Sequence, residues 1–238
     1  MAQLQHLLQN NRDWASEQRT RDPSFFQRLA AQQRPQYFWI GCSDSRVPAN
    51  TIVGLPPGEV FVHRNVANMV KHSDMNGLSA MQFAVDVLGV SHIIICGHYG
   101  CSGVKAALSG AQLGLVDNWL TQMHAIAAKH AALLDACSTD DQRHDLMCEL
   151  NVIEQVLHTC QSTVVEAAWR RGQDLSVHGW IYSLSDGLIR DLDVSRHGPH
   201  RQARATDALL EARERDIAAQ VPIRTSAPDC LWGQDYGT

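Results

Sequence analysis

The chain of 238 residues is 45% hydrophobic and 19% charged with a formal net charge of −5, enough apolar material to fill the core of one domain with helical additions. Arg and Glu are interleaved rather than clustered, which argues against nucleic acid or an acidic membrane surface as partner and for something small. No run is apolar enough to span a membrane and the start, MAQLQHLLQNNRDW, lacks an export signal's hydrophobic region, so the expected location is cytoplasmic.

The segment before Gln36 reads as two helices, the second marked by DPSFF at 22–26, with Asp22 as cap and Pro23 at the first helical position. Such an arm either packs on its own domain or reaches across to another subunit. Apolar runs at Tyr37–Cys42, 60–63, 92–97 and 175–184 read as buried strands. Between them, LSAMQFAVDVLG at 78–89 puts Leu78, Met81, Val85 and Leu88 on one helical face and stops at a glycine. Longer amphipathic patterns cover 115–134 and 146–171, and Leu192 with Val194 reads as a last edge strand after the turn at Asp186-Gly187. Strands alternating with helices predict an α/β protein whose mostly parallel sheet is covered on both faces. Past His197-Gly198-Pro199 a charged helix at 201–220 and a loose tail from Val221 are expected. The chain thus divides into an arm (1–35), an α/β body (36–198) and a C-terminal segment (199–238).

Seven cysteines, an odd number, argue against a disulfide framework. Cys96, Cys137, Cys148 and Cys160 read as small buried hydrophobes, and Cys230 as incidental to a polar tail. Cys42 and Cys101 have neighbours that ask for more. GCSDSRVP, 41–48, closes a strand with Cys42, Asp44 and Arg46 at alternate positions, so that the three could converge. HIIICGHYGCSGV, 92–104, ends a second strand and sets His98 and Cys101 at HxxC spacing, with glycines at 97, 100 and 103 that let the backbone crowd a site. Ligand sites of open α/β sheets lie at the carboxyl ends of the strands. Two thiolates and an imidazole suit zinc, with Asp44 as a possible fourth ligand. A closed zinc site that staples loops together, or plain core filling, is the competing reading; Arg46 weighs against it, since a staple has no use for a guanidinium beside its carboxylate.

CSDSRVP, FVHRNVAN, HIIICGHYGC and HGWIYSLSDGLIRDLDV resemble the beta-class carbonic anhydrases, and among them the bacterial subtype regulated by bicarbonate, over about residues 1–195. The resemblance implies that family's α/β fold, a four-stranded parallel core with an edge strand, flanking helices and an N-terminal helical arm wrapped over a partner subunit. It implies reversible hydration of carbon dioxide to bicarbonate and a proton, with hydroxide on one zinc per subunit as nucleophile. Cys42, His98 and Cys101 correspond to the zinc ligands, and Asp44 and Arg46 to a dyad that orients the reaction and gates it, Asp44 closing the site on the metal when released from Arg46. Trp39, Arg64 and Tyr182 fall at a regulatory bicarbonate site, and Gln33, Phe61, Val66 and Phe83 at the substrate pocket, Gln33 lent by the adjacent subunit. Phe83 stands where relatives often have Tyr, and Ser102 where a Gly is common. A homo-oligomer is implied, a dimer at minimum and a tetramer as a dimer of dimers.

The other histidines offer no assignable proton shuttle. His6, His72, His124, His130, His144, His158, His197 and His200 read as mostly solvated, and His63 and His178 as hydrogen-bonders within strands. Two alternatives remain at this point: a hydrolase of carbon disulfide or carbonyl sulfide on the same scaffold, and a zinc-stapled module without turnover.

Overall fold

The computed structural model describes residues 4–31, 34–44 and 46–198 and the single positions 211, 215 and 219. Gln33, Cys230, His200 and, apart from those single positions, the segment at 199–238 lie outside the described residues.

The aromatic and branched run YFWIGC forms β1 (Tyr37–Cys42), which lies between β2 (Val60–Asn65) and β3 (His92–His98) and pairs with both in parallel. Parallel β4 (Ser176–Tyr182) extends the sheet beyond β3, and antiparallel β5 (Ile189–Asp191) closes that edge, in the order β2-β1-β3-β4-β5. The short β6 (Arg196–His197) also pairs with β4. The four parallel strands match the sequence reading, but the edge strand does not fall at Leu192 and Val194. Those two side chains are 3% and 1% exposed core residues beyond β5, with Asp193 between them at φ 56°. A Cβ on Gly179 would come within 2.5 Å of Val194 Cγ2, so Val194 fills the notch that this glycine leaves in β4 instead of pairing along an edge.

The helical readings also need correction. The arm forms α1 (Gln5–Arg21) and α2 (Phe25–Ala31), but Asp22 accepts from the Ser24 N–H and hydroxyl in a turn, and the helix begins two residues after Pro23. The short α3 (Ala49–Ile52) follows β1; after β2, α4 (Met75–Gln82) loosens into π-helical turns at Phe83–Leu88 and stops at Gly89, φ 69°. Met81 and Val85 are buried as expected, while Leu78 and Leu88 are half-buried. An unanticipated α5 (Ser102–Ser109) follows Cys101. The pattern at 115–134 is two helices, α6 (Leu115–Lys129) and α7 (Ala131–Asp135), broken at His130. The pattern at 146–171 is α8 (Asp140–Cys160) and α9 (Thr163–Arg170), with Thr139 and Ser162 as N-caps.

The main core lies between α8 and the sheet, where Leu146, Leu150, Val152 and Val156 face Phe38, Ile40, Ile93, Ile95 and Val177. A smaller cluster of Trp39, Ala49, Ile94 and Cys96 covers the opposite face. Of the histidines expected in solvent, His130 is buried with Nε2 2.8 Å from Glu154 Oε1, His144 and His158 are partly buried, and His158 is bonded to Gln122. Each lies on or against α8, whose inward face carries more polar groups than its periodicity revealed. His178 bridges His92 and Ser195, and His63 meets Asn65, as expected of strand hydrogen-bonders.

Asp145 on α8 is wholly buried, and among the described residues neither carboxylate oxygen has a hydrogen-bond partner. Burial, then Glu149 and Asp141, pushes its pKa up from 3.8 to about 7. Because the folded chain holds this proton more tightly than the unfolded one, the stability contribution is full below about pH 4 and is lost as the pH rises through about 7. Asp145→Asn is therefore expected to gain stability relative to wild type as pH rises across that window; urea melts of both proteins at the two ends check it, and a constant difference would refute it.

Candidate metal centre

Parallel pairing of β1 with β3, with Gly41 opposite Cys96, carries Cys42 and His98 to the same end of the sheet. Cys101 follows in the turn before α5, where Gly100 takes φ 71°. The three side chains are 5%, 6% and 2% exposed, and their ligand atoms lie within 4.8 Å of one another. Cys42 Sγ and Cys101 Sγ are 3.9 Å apart. His98 Nδ1 is 2.9 Å from the Tyr99 carbonyl, so Nδ1 carries the proton and donates, and Nε2 keeps its lone pair. Among the described residues that buried Nε2 has no hydrogen-bond partner. A buried imidazole lone pair facing two sulfurs leaves an unmet donor atom that a zinc ion would satisfy, and the donor set is the soft one zinc prefers.

The three residues shift one another's ionisation. The hydrogen bond from the Cys101 thiol, then His98, draws the Cys42 thiol down to about 4. The same bond, together with burial, pushes Cys101 well above the usual thiol range. Burial works against charge on His98, but Cys42 outweighs it and raises the imidazole. Cys96, Cys148 and Cys160, by contrast, are buried and pushed up by desolvation, as core thiols should be, while Cys137 is half-exposed.

Asp44 is not among the clustered ligand atoms. Its two oxygens accept from Arg46 Nε and Nη2, each at 3.1 Å, in a bidentate pair at the rim of the site. The Asp44 N–H points back at Cys42 Sγ at 3.4 Å, and so does the Ala67 N–H. Ala67 and Asn68 are both left-handed, at φ 62° and 47°; asparagine tolerates that backbone, but for alanine it costs roughly 1–2 kcal/mol. Nothing in the string RNVAN announces this geometry at Ala67, since alanine carries no turn signal.

Trp39, Arg64 and Tyr182 come together on the opposite face of the sheet from Cys42. Trp39 is 2% exposed and meets Trp180 edge-on, and Tyr182 packs at the margin of the same cluster. Arg64 is paired across from Gly41, where a Cβ would touch Trp39 Nε1 at 2.7 Å and Arg64 Nη1 at 3.4 Å, so both side chains lean over that glycine. Arg64 Nη1 donates to the Cys42 carbonyl at 2.8 Å. Of the pocket residues, Phe61 and Phe83 are in ring contact at 5.9 Å, and Val66 lies against Gly103, beyond Cys101. Gln33 is outside the described residues. Sequence reasoning missed His144, whose Nε2 is 3.1 Å from the Cys101 carbonyl.

A family model described as carbonic anhydrase matches residues 37–189. The chain is 44% identical over 192 residues to a carbonic anhydrase of Emericella nidulans, covering 81% of this chain and 84% of the relative. It is 37% identical over 174 residues to one of Pseudomonas aeruginosa, covering 71% and 78%. Among solved structures, it resembles the Coccomyxa beta-carbonic anhydrase in complex with acetazolamide, with a TM-score of 0.81 at 39% identity over 90% of this chain and 99% of that one. It also resembles a structure from work on two tetrameric beta-carbonic anhydrases of Sordaria macrospora, with a TM-score of 0.77 at 37% identity over 82% and 100%.

Purified protein is expected to carry one zinc per chain, and Cys42→Ser or His98→Ala to lower that content well below one equivalent by elemental analysis. Because the core behind the site is continuous without a metal, chelation should leave the circular dichroism spectrum folded; unfolding on chelation would mark a structural staple instead.

Proposed function

This chain belongs to the carbonic anhydrase family, in its beta class, and catalyses the reversible hydration of carbon dioxide to bicarbonate and a proton; from that premise we propose that Cys42, His98 and Cys101 hold zinc and that Asp44 and Arg46 govern the fourth ligand position. The observation that carries this reading is the partnerless His98 Nε2 facing two sulfurs, beside a carboxylate already engaged by Arg46. When bound, zinc supplies a Lewis acid that makes water a nucleophile near neutral pH. Arg46 holds both Asp44 oxygens away from the ligand cluster, so that Asp44 can accept a hydrogen bond from the attacking water and turn a lone pair toward the substrate. Phe61, Phe83 and Val66 form an apolar wall for carbon dioxide, with Gln33 reaching in from a second copy. Were Asp44 released from Arg46, it would be free to ligate the metal and close the site.

Two further elements belong to the same reading. The arm at 1–35 docks on a second copy of the body at 36–198: α1 and α2 bury no residue in the single chain and leave Leu4, Leu7, Leu8 and Trp14 at least 46% exposed. A tetramer built from such dimers follows the Sordaria macrospora relatives. Trp39, Arg64 and Tyr182 bind bicarbonate as an inhibitor. An anion that draws Arg64 from the Cys42 carbonyl loosens the strand end carrying Cys42, Asp44 and Arg46, and so favours the closed state. No described helix is long and apolar enough to cross a membrane. The described cysteines are all free, which supports a cytoplasmic location.

Stopped-flow hydration should climb from neutral to alkaline pH, because two thiolates leave the metal's water less acidic than three neutral imidazoles would. Asp44→Asn should retain zinc yet lose about 100-fold or more in kcat/KM; full activity in that variant would remove the dyad from the mechanism. Bicarbonate should inhibit wild type and not Trp39→Phe or Arg64→Ala, and equal inhibition in all three would remove the regulatory site.

A further inference from the structure

α8 turns two amide side chains, Asn151 and Gln155, into the apolar core at 1% and 0% exposure. Burying amides there is unfavourable unless each is fully bonded, and these two form a chain with a fixed direction. The Val70 N–H donates to Gln155 Oε1 at 2.7 Å, which leaves Gln155 Nε2 to donate to Asn151 Oδ1 at 2.9 Å. Asn151 Nδ2 must then face the other way, and it donates to the Ala67 carbonyl at 2.9 Å. Each bond decides the orientation of the next amide. The chain ends on the left-handed Ala67, whose own N–H is aimed at Cys42 Sγ. The same loop is held at its outer end by Asn65, which bonds both the N–H and the carbonyl of Met69, and by Trp119 Nε1 on the Val66 carbonyl.

We propose that Asn151 and Gln155 are positioning residues for the metal centre: through the Ala67 carbonyl they hold an unfavourable left-handed backbone in the one conformation that directs the Ala67 N–H at Cys42 Sγ. An N–H bond to a ligating thiolate draws charge from the sulfur and weakens its donation to the metal, so an amide pair on α8 tunes the ion without touching it. This rests on Cys42 being a ligand. Alanine at position 67 explains why the clamp is needed: unlike glycine, it leaves the left-handed region once the restraint is gone.

The test is optical absorption of the cobalt(II)-loaded protein, in which thiolate-to-metal charge transfer reads the energy of the sulfur lone pairs directly. Asn151→Leu, close in volume and without a donor, should move that band to longer wavelength. Gln155→Met should shift the band in the same direction, and serves if Asn151→Leu does not fold. Ala67→Gly added to either variant should return the band toward its wild-type position, because glycine takes a positive φ without the clamp. Val156→Ala, an apolar truncation on the same helix that keeps both amides, should destabilise the fold and leave the band in place. A band unmoved in both amide variants, or moved as far by Val156→Ala, overturns the inference while leaving Cys42 as a ligand. A wild-type cobalt protein with no charge-transfer band overturns the ligand assignment and the inference together.

Discussion

The parallel pairing of β1 with β3 is the constraint on which the rest of the molecule depends. Its register sets Tyr37 against His92 and Gly41 against Cys96, so both strands run out at the same end. Only there does the chain bring a thiol from residue 42 within reach of an imidazole and a second thiol from residues 98 and 101. Side chains alternate along a strand, so a slip of one residue in this pairing would turn Cys42 toward the face that holds Trp39 and bring Phe38 and Ile40 out of the main core. The packing of Phe38, Ile40, Ile93 and Ile95 against α8 therefore selects the register that assembles the metal centre. Core and site are specified by the same hydrogen-bond ladder.

The two faces of that ladder divide the labour. Cys42 belongs to the larger core on the α8 side, while Trp39, three residues before it on the same strand, belongs to the smaller cluster with Trp180 and Tyr182. Arg64 crosses between them by bonding the carbonyl of Cys42 from the far side of the sheet. Burial works against the charge of that guanidinium, and the Cys96 and Cys42 thiols partly offset the loss. A half-buried cation bonded to the backbone of a ligand residue is a mechanical connection as well as an electrostatic one.

α8 does more than cover the sheet. Over its 21 residues it supplies the apolar surface for β3 and β4, the Asn151–Gln155 amides, Glu154 for His130, and Glu149 beneath the Tyr99 hydroxyl. These polar groups account for what the helical periodicity of 146–171 obscured. An amphipathic pattern is read by its apolar stripe, and a stripe interrupted by buried Asp145, Glu149, Asn151 and Gln155 looks like a narrower helix than the one that forms. Asn151 and Gln155 stand four apart, the spacing at which side chains on one helix face bond each other, and that was the available signal for them.

The residue types of the site, the HxxC spacing at His98 and Cys101, and the limits of β1 and β3 to within a residue are determined by the sequence alone, because they depend on neighbours a few positions apart. The left-handed Ala67 was not: alanine has no intrinsic reason to adopt that backbone, and the groups that impose it come from residues 42 and 151, brought there only when the strands pair and α8 docks. The place of Leu192 and Val194 was likewise decided by a notch at Gly179, some fifteen residues away. Local chemistry is written in short spacings; strain, burial of amides and the meeting of Cys42 with His98 and Cys101 arise only when distant segments exclude water together.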